Sequence, residues 1–245
     1  MGIIESNLGI AQDKISAGLT AETTVELLEL LRRPGLSAEE MLGIRLYPEF
    51  LPKGKDLYTP EERYLHFLWE ELDRSPLCSA ANFAIPFRRM IAKKLFKKCG
   101  KNFSAERNIR FNYGQSIEVG DNVFIHEGVL LDSKGGIKIG NSSALAEFVV
   151  IFTHGHSESD HQERSYAPVV IEEFCKVYTR SMILPGVTVK KQAIVAAHSV
   201  VTKDVPENSL VTGSPAAVVR PRKNEGKTNE DLGHVWLADG AFQTE

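Results

Sequence analysis

Apolar positions along this chain follow two different periods, and the change between them divides it. In the first hundred residues the spacing is three or four: Leu65, Leu68, Trp69 and Leu72 make one stripe, which predicts an amphipathic helix with a face to bury. Ser37-Ala-Glu-Glu40 and Thr59-Pro-Glu-Glu62 carry the capping-box pattern, in which a hydroxyl and a carboxylate three residues on satisfy each other's backbone N–H groups. Proline at the first helical position strengthens the second. Helices are predicted over about 21–33, 38–44, 60–73 and 84–99.

From about residue 117 the period becomes six. Aliphatic residues recur at Val119, Ile125 and Leu131, resume after a two-glycine slip at Ile139, Leu145 and Ile151, and resume again at Ile171, Val177, Ile183, Val189, Val195 and Val201. Four residues after most of them stands a small or β-branched residue: Val123, Val129, Ser143, Val149, Cys175, Ser181, Val187, Ala193, Ser199 and Val205. Two positions per hexad therefore point inward. This is the pattern of a chain wound into triangular coils, three hexads to a turn, coil stacked on coil. An antiparallel sandwich competes, but its hairpins would break the phase, which here survives two interruptions. The expectation is a mainly β protein: an α-helical region over 1–105 capping a parallel β-helix over 106–221, a loop over 153–168 leaving the coils, and a tail over 222–245 without apolar periodicity.

Composition mostly excludes. The formal net charge is −3, so no basic domain argues for nucleic acid. The N-terminus lacks the basic and apolar regions of a signal peptide, and no apolar run reaches the roughly 18 residues a spanning helix needs. A cytoplasmic location is expected. Cys78, Cys99 and Cys175 are scattered without C-x-x-C spacing, and read as free thiols rather than as a disulfide or zinc framework. Phe87-Arg-Arg-Met-Ile-Ala-Lys-Lys-Leu-Phe-Lys-Lys98 is basic, with Phe87, Met90, Ile91 and Leu95 on one side. Such a helix can bind a membrane surface, but a solenoid also needs a cap on its open end, and the cap is the reading preferred.

Four segments resemble the hexapeptide-repeat acyltransferases, and within them the maltose and galactoside O-acetyltransferase branch. They are Asn112-Tyr-Gly-Gln-Ser-Ile-Glu-Val-Gly-Asp-Asn122, Thr153-His-Gly-His156, Ile183-Leu-Pro-Gly-Val187, and Ser199-Val-Val-Thr-Lys-Asp-Val-Pro-Glu-Asn208 with Gly213-Ser-Pro-Ala216. The resemblance covers roughly residues 107–221. It implies a left-handed β-helix, a homotrimer with sites between subunits, and acetyl-CoA as donor to a hydroxyl of a small or sugar-like acceptor, with no metal. His156 stands where the family carries its catalytic histidine. An alcohol is a poor nucleophile near neutral pH, and imidazole is matched to take its proton. Asp132, Glu158, Asp160 or a backbone carbonyl could orient its second nitrogen; His154 and His161 read as loop histidines. The resemblance further implies that Thr179, Ala197, Thr202 and Lys203 line the donor site, with Arg220 near its phosphates and Arg222 or Lys223 as further candidates there.

The chain departs from the pattern at Tyr178, Arg180 and His198, which stand where relatives carry small residues, and at Gly128, which replaces an asparagine that helps bind the acceptor. His126, Glu127 and Asp132 project from the same coil and could rebuild that contact for another hydroxyl compound, or stand as corner residues facing water. Two other functions fit the same coils. His126, His156 and His161 would suit a zinc hydratase like the gamma-class carbonic anhydrases, since three imidazoles and an open position activate water. A trimeric scaffold without catalysis would tolerate the bulky substitutions.

Overall fold

The computed structural model describes residues 2–51 and 58–232; the His234–Leu237 segment of the tail lies outside them. The chain divides into two compact units, Met1–Leu95 and Phe96–Glu245.

The first unit contains α1 (Ile3–Ala17), α2 (Ala21–Leu30), α3 (Ala38–Gly43), α4 (Pro60–Asp73) and α5 (Ala81–Leu95). Both predicted capping boxes form, Ser37 with Glu40 and Thr59 with Glu62. The α4 stripe is buried: Leu65, Leu68, Trp69 and Leu72 are at most 1% exposed. α1 was not predicted, because Gly2 at its N-cap offers no hydroxyl or carboxylate and only Ala11 and Ile15 are buried. α5 starts and stops earlier than expected. Its end is set by the next element, since Lys98–Cys99 pairs as a strand instead of continuing the helix. Arg88 is fully buried against Asp73 and Trp69, and Arg89 is buried too, so α5 presents a less basic face than its sequence suggested.

The second unit is a left-handed parallel β-helix of about six turns. Its first face stacks Lys98–Cys99, Ile117–Val119, Ile137–Ile139, Val169–Ile171 and Thr188–Val189. The second stacks Ser104–Ala105, Phe124–Ile125, Ala144–Leu145, Lys176–Val177, Ile194–Val195 and Ser209–Gly213, the last closed by the antiparallel Ala216–Pro221. The third stacks Arg110–Phe111, Leu130–Leu131, Val150–Ile151, Met182–Ile183 and Val200–Val201. All twelve aliphatic hexad positions, and the ten small or β-branched ones, are at most 3% exposed. The coils begin at Lys98, before residue 106, because one further turn precedes the recognisable repeats.

Most corners turn through a residue in the left-handed region, among them Asn122, Ser142, Phe148, Arg180 and His198. Asn tolerates that region; Arg and His do so at a cost. The expected loop is a hairpin, His154–His156 pairing antiparallel with Arg164–Tyr166. The tail is held against the coils as far as Leu232: Arg222 donates to the carbonyls of Phe174 and Gln192, and the Asn229 N–H donates to Gln192 Oε1.

Candidate active site

The hairpin leaves the edge between the third and first faces, and one buried carboxylate sets its root. Asp132 follows the third-face strand Leu130–Leu131 and is 3% exposed. Its oxygens lie 2.9 Å from Lys134 Nζ, within hydrogen-bond reach of His154 Nδ1, and 3.3 Å from the Thr153 N–H. Burial alone would raise this carboxyl, but Lys134 and His154 outweigh it and hold its pKa below the ordinary value. Thr153 is equally tied: its hydroxyl donates to the Asp132 carbonyl and accepts from the Gly135 N–H at 2.7 Å. The glycine slip now has a reason. A Cβ on Gly135 would sit 2.4 Å from the Thr153 carbonyl oxygen, and Gly136 turns at φ +97°. Asp132 was expected to face the acceptor; in the structure its oxygens face Lys134, His154 and the Thr153 N–H.

His154 and His156 are two apart on one strand, so they share a face. Across the hairpin His154 is opposite Tyr166, and His156 is opposite Arg164. The His154 ring stacks near Tyr166 and stands edge-on to His156, centroids 5.3 Å apart. His156 is exposed. Its ring stacks on His161 at 4.0 Å, and its Nδ1 lies 2.9 Å from the His161 carbonyl oxygen. A carbonyl only accepts, so Nδ1 carries the proton and Nε2 keeps the lone pair. Among the candidates for orienting His156, the structure has the carbonyl; Asp132 serves His154.

The other expected residues fall on two edges. Thr202 and Lys203 are exposed on the same edge as the hairpin. His126, Thr179 and Ala197 lie on the edge between the second and third faces, as do Tyr178, Arg180 and His198. There His126 Nδ1 stands 3.4 Å from Glu106 and 3.7 Å from Glu147, and the Thr179 hydroxyl donates to the other Glu147 oxygen at 2.9 Å. Glu147 thus ties the acceptor candidate to a donor-site candidate. His126 holds the Glu106 carboxyl below its usual range, and hydrogen bonds from its own backbone N–H and from Thr179 do the same for Glu147. The Arg180 guanidinium is laid over the Phe148 ring, 5.6 Å from its centroid. Arg220 bonds the neighbouring Pro221 carbonyl on the last hairpin, and Arg222 is occupied at the tail.

The three histidines of a zinc site are not brought together: no group of three potential ligands that could hold a metal forms among the described residues. Nor does any helix there have the length and apolarity to cross a membrane. Glu147, Lys134 and Arg164 were missed by sequence reasoning: Glu147 meets His126 and Thr179 of other coils, Lys134 is singled out only once Asp132 is placed at the hairpin root, and Arg164 is set by a hairpin register a sequence does not display.

No family model matches the chain. It is 32% identical over 137 residues to an acetyltransferase-type protein of Saccharomyces cerevisiae, a match spanning 54% of this chain and 70% of that one. Among solved structures, a hexapeptide-repeat acetyltransferase of Vibrio cholerae in complex with acetyl-coenzyme A superposes with a TM-score of 0.61 at 26% identity, covering 77% of this chain and all of the other. Galactoside acetyltransferase in complex with coenzyme A superposes with a TM-score of 0.61 at 25% identity, covering 78% and 92%.

Proposed function

This chain belongs to the hexapeptide-repeat acetyltransferases, and from that premise we propose that it carries an acetyl group from acetyl-CoA directly to a hydroxyl of a small or sugar-like acceptor, with His156 as general base. The observation that carries the base assignment is the His156 Nδ1 bond to the His161 carbonyl, which leaves an accessible lone pair on Nε2. That nitrogen takes the hydroxyl proton as the oxygen attacks the thioester carbonyl. The thiolate leaves, a backbone N–H of the neighbouring coil steadies the oxyanion, and no covalent enzyme intermediate forms. Thr179, Ala197, Thr202 and Lys203 hold the donor's pantetheine arm, Arg220 its phosphates, and His126 contacts the acceptor.

The assembly is a homotrimer in this reading. Two features support it. The third face presents an outward apolar row, Leu130, Val150, Met182 and Val200, paired in register from coil to coil and half-buried. The base and the Thr179 column also lie on different edges of one chain, so a second copy completes each site.

Calorimetry of acetyl-CoA binding, with thiol release in the presence of simple sugars, tests the proposal. His156→Ala should keep donor affinity and lose at least about 10²-fold in transfer, the ordinary contribution of a general base. Undiminished transfer in that variant removes His156 from the chemistry. A second reading has one observation in its favour: His154, not His156, has a carboxylate behind it. Loss of transfer in His154→Asn with full activity in His156→Ala would select it.

A further inference from the structure

The hairpin face that carries His156 also carries a cation without a counter-ion. Arg164 is opposite His156 in the hairpin register, and paired residues of antiparallel strands bring their side chains onto one face with Cβ atoms about 5 Å apart. Among the described residues Arg164 makes no ion pair or side-chain hydrogen bond, and its Nε is buried without a partner. The nearby charges do not compensate it: Asp132 is neutralised by Lys134 and engaged by His154, while Glu158, Asp160 and Glu163 of the same loop form no ion pair with it. A guanidinium has a planar fork of donors that fits carboxylate and phosphate oxygens two at a time. One stationed beside a base, half-buried and unpaired, is arranged for an oxyanion that arrives with a ligand.

We propose that Arg164 anchors an oxyanion on the acceptor, so that the substrate is an acidic hydroxyl compound, a sugar carboxylate or sugar phosphate, rather than a neutral sugar. The inference rests on the reading of His156 as base. The anchored group and the reacting hydroxyl sit on neighbouring carbons or one further apart, within the span between two side chains on one ribbon face. The donor also carries phosphates, and these are the other source of the same chemistry.

The test compares glucose, glucuronic acid and glucose 6-phosphate as acceptors, by thiol release, in the wild type, Arg164→Gln and Arg164→Lys. The wild type should prefer at least one acidic sugar over glucose by tenfold or more in kcat/KM. Arg164→Gln should erase that preference and leave both the activity on glucose and the KM for acetyl-CoA within twofold, while Arg164→Lys restores part of it. A raised KM for acetyl-CoA with unchanged acceptor preference would assign the guanidinium to the donor and overturn the proposal. So would dissociation of the assembly by the substitution, read by light scattering.

Titration of glucuronate and of inorganic phosphate against the histidine ring-proton resonances provides a readout that needs no turnover. Shifts of the His156 signals in the wild type that vanish in Arg164→Gln support the site, even where no sugar is acetylated and the base assignment fails. Equal shifts in both proteins, or none in either, refute it.

Discussion

Replacing Asp132 with asparagine separates the anchor of the hairpin from its chemistry. The carboxylate and Lys134 side chains are 5% and 14% exposed and lie 2.9 Å apart, so solvent screens the pair little. Removing one partner of a buried ion pair costs about 3–5 kcal/mol, because the remaining charge is left unmatched. Asparagine keeps the shape and can still accept from the Thr153 N–H, which puts the expected loss near the low end, about 3 kcal/mol. Urea unfolding at pH 7 measures it. The acid limb gives an independent check. The native carboxyl titrates below its ordinary 3.8, so its contribution is complete above that pH and is lost as pH falls through the lower native value. The gap between wild type and Asp132→Asn should therefore close below about pH 4. In turnover the variant should lose about tenfold or more in kcat with the acetyl-CoA KM little changed, since a base displaced by an ångström is costly. A destabilisation under about 1 kcal/mol, or a gap constant down to pH 3, would refute the reasoning.

Lys176 Nζ donates to the Ser142 carbonyl, and burial, helped by the nearby Arg222, lowers its pKa from 10.5 to about 8. A native pKa below the unfolded one means the unfolded chain binds the extra proton between those values, so stability should rise with pH from about 8 to 10.5, and Lys176→Met should stabilise the protein at pH 7 by up to about 3 kcal/mol, less what the lost bond to Ser142 contributes; a variant no more stable than the wild type at pH 7 contradicts this. Gly135→Ala drives a methyl against the Thr153 carbonyl, and should cost about 1–3 kcal/mol in thermal unfolding while depressing kcat more than acetyl-CoA affinity. Equal kcat in that variant would show that the hairpin root does not position the base.

The coils were legible because each short strand shows two inward positions, and a fixed six-residue step keeps them in phase wherever the residues are aliphatic or small. The first turn escaped for a chemical reason. Cys99, Ala105 and Phe111 stand where later turns have valine, leucine or isoleucine, and Phe103 where they have small or β-branched residues. Large aromatics there fill the end of the helix with the same inward geometry but a different composition. At the site, the Gly-His pair and the phase break located the loop and His156. The Asp132 to His154 contact spans 22 positions and exists only because successive coils bring them to one edge. Arg164 became visible only when the hairpin fixed which residue is opposite the base.

Under the proposed trimeric reading, the division of the candidate residues between two edges makes assembly a condition of activity rather than an accessory to it. His156 hangs from the edge after the third face, and Glu147, Thr179 and Ala197 line the edge after the second. The third face, with strands two residues long at about 3.3 Å per residue, lies between those edges and keeps them on separate corners of the coil. On the proposed reading, one chain supplies a base to a neighbour's donor column. Mixing makes this testable: subunits bearing His156→Ala and subunits bearing Thr179→Trp should each be nearly inactive alone, and refolded together in equal amounts should recover roughly a quarter of the sites, because one interface in four pairs an intact base with an intact column in a ring assembled at random. Recovery requires that the two residues act across an interface. If the mixture shows only the average of the two parent activities, base and donor column belong to the same chain, and the trimeric site is wrong.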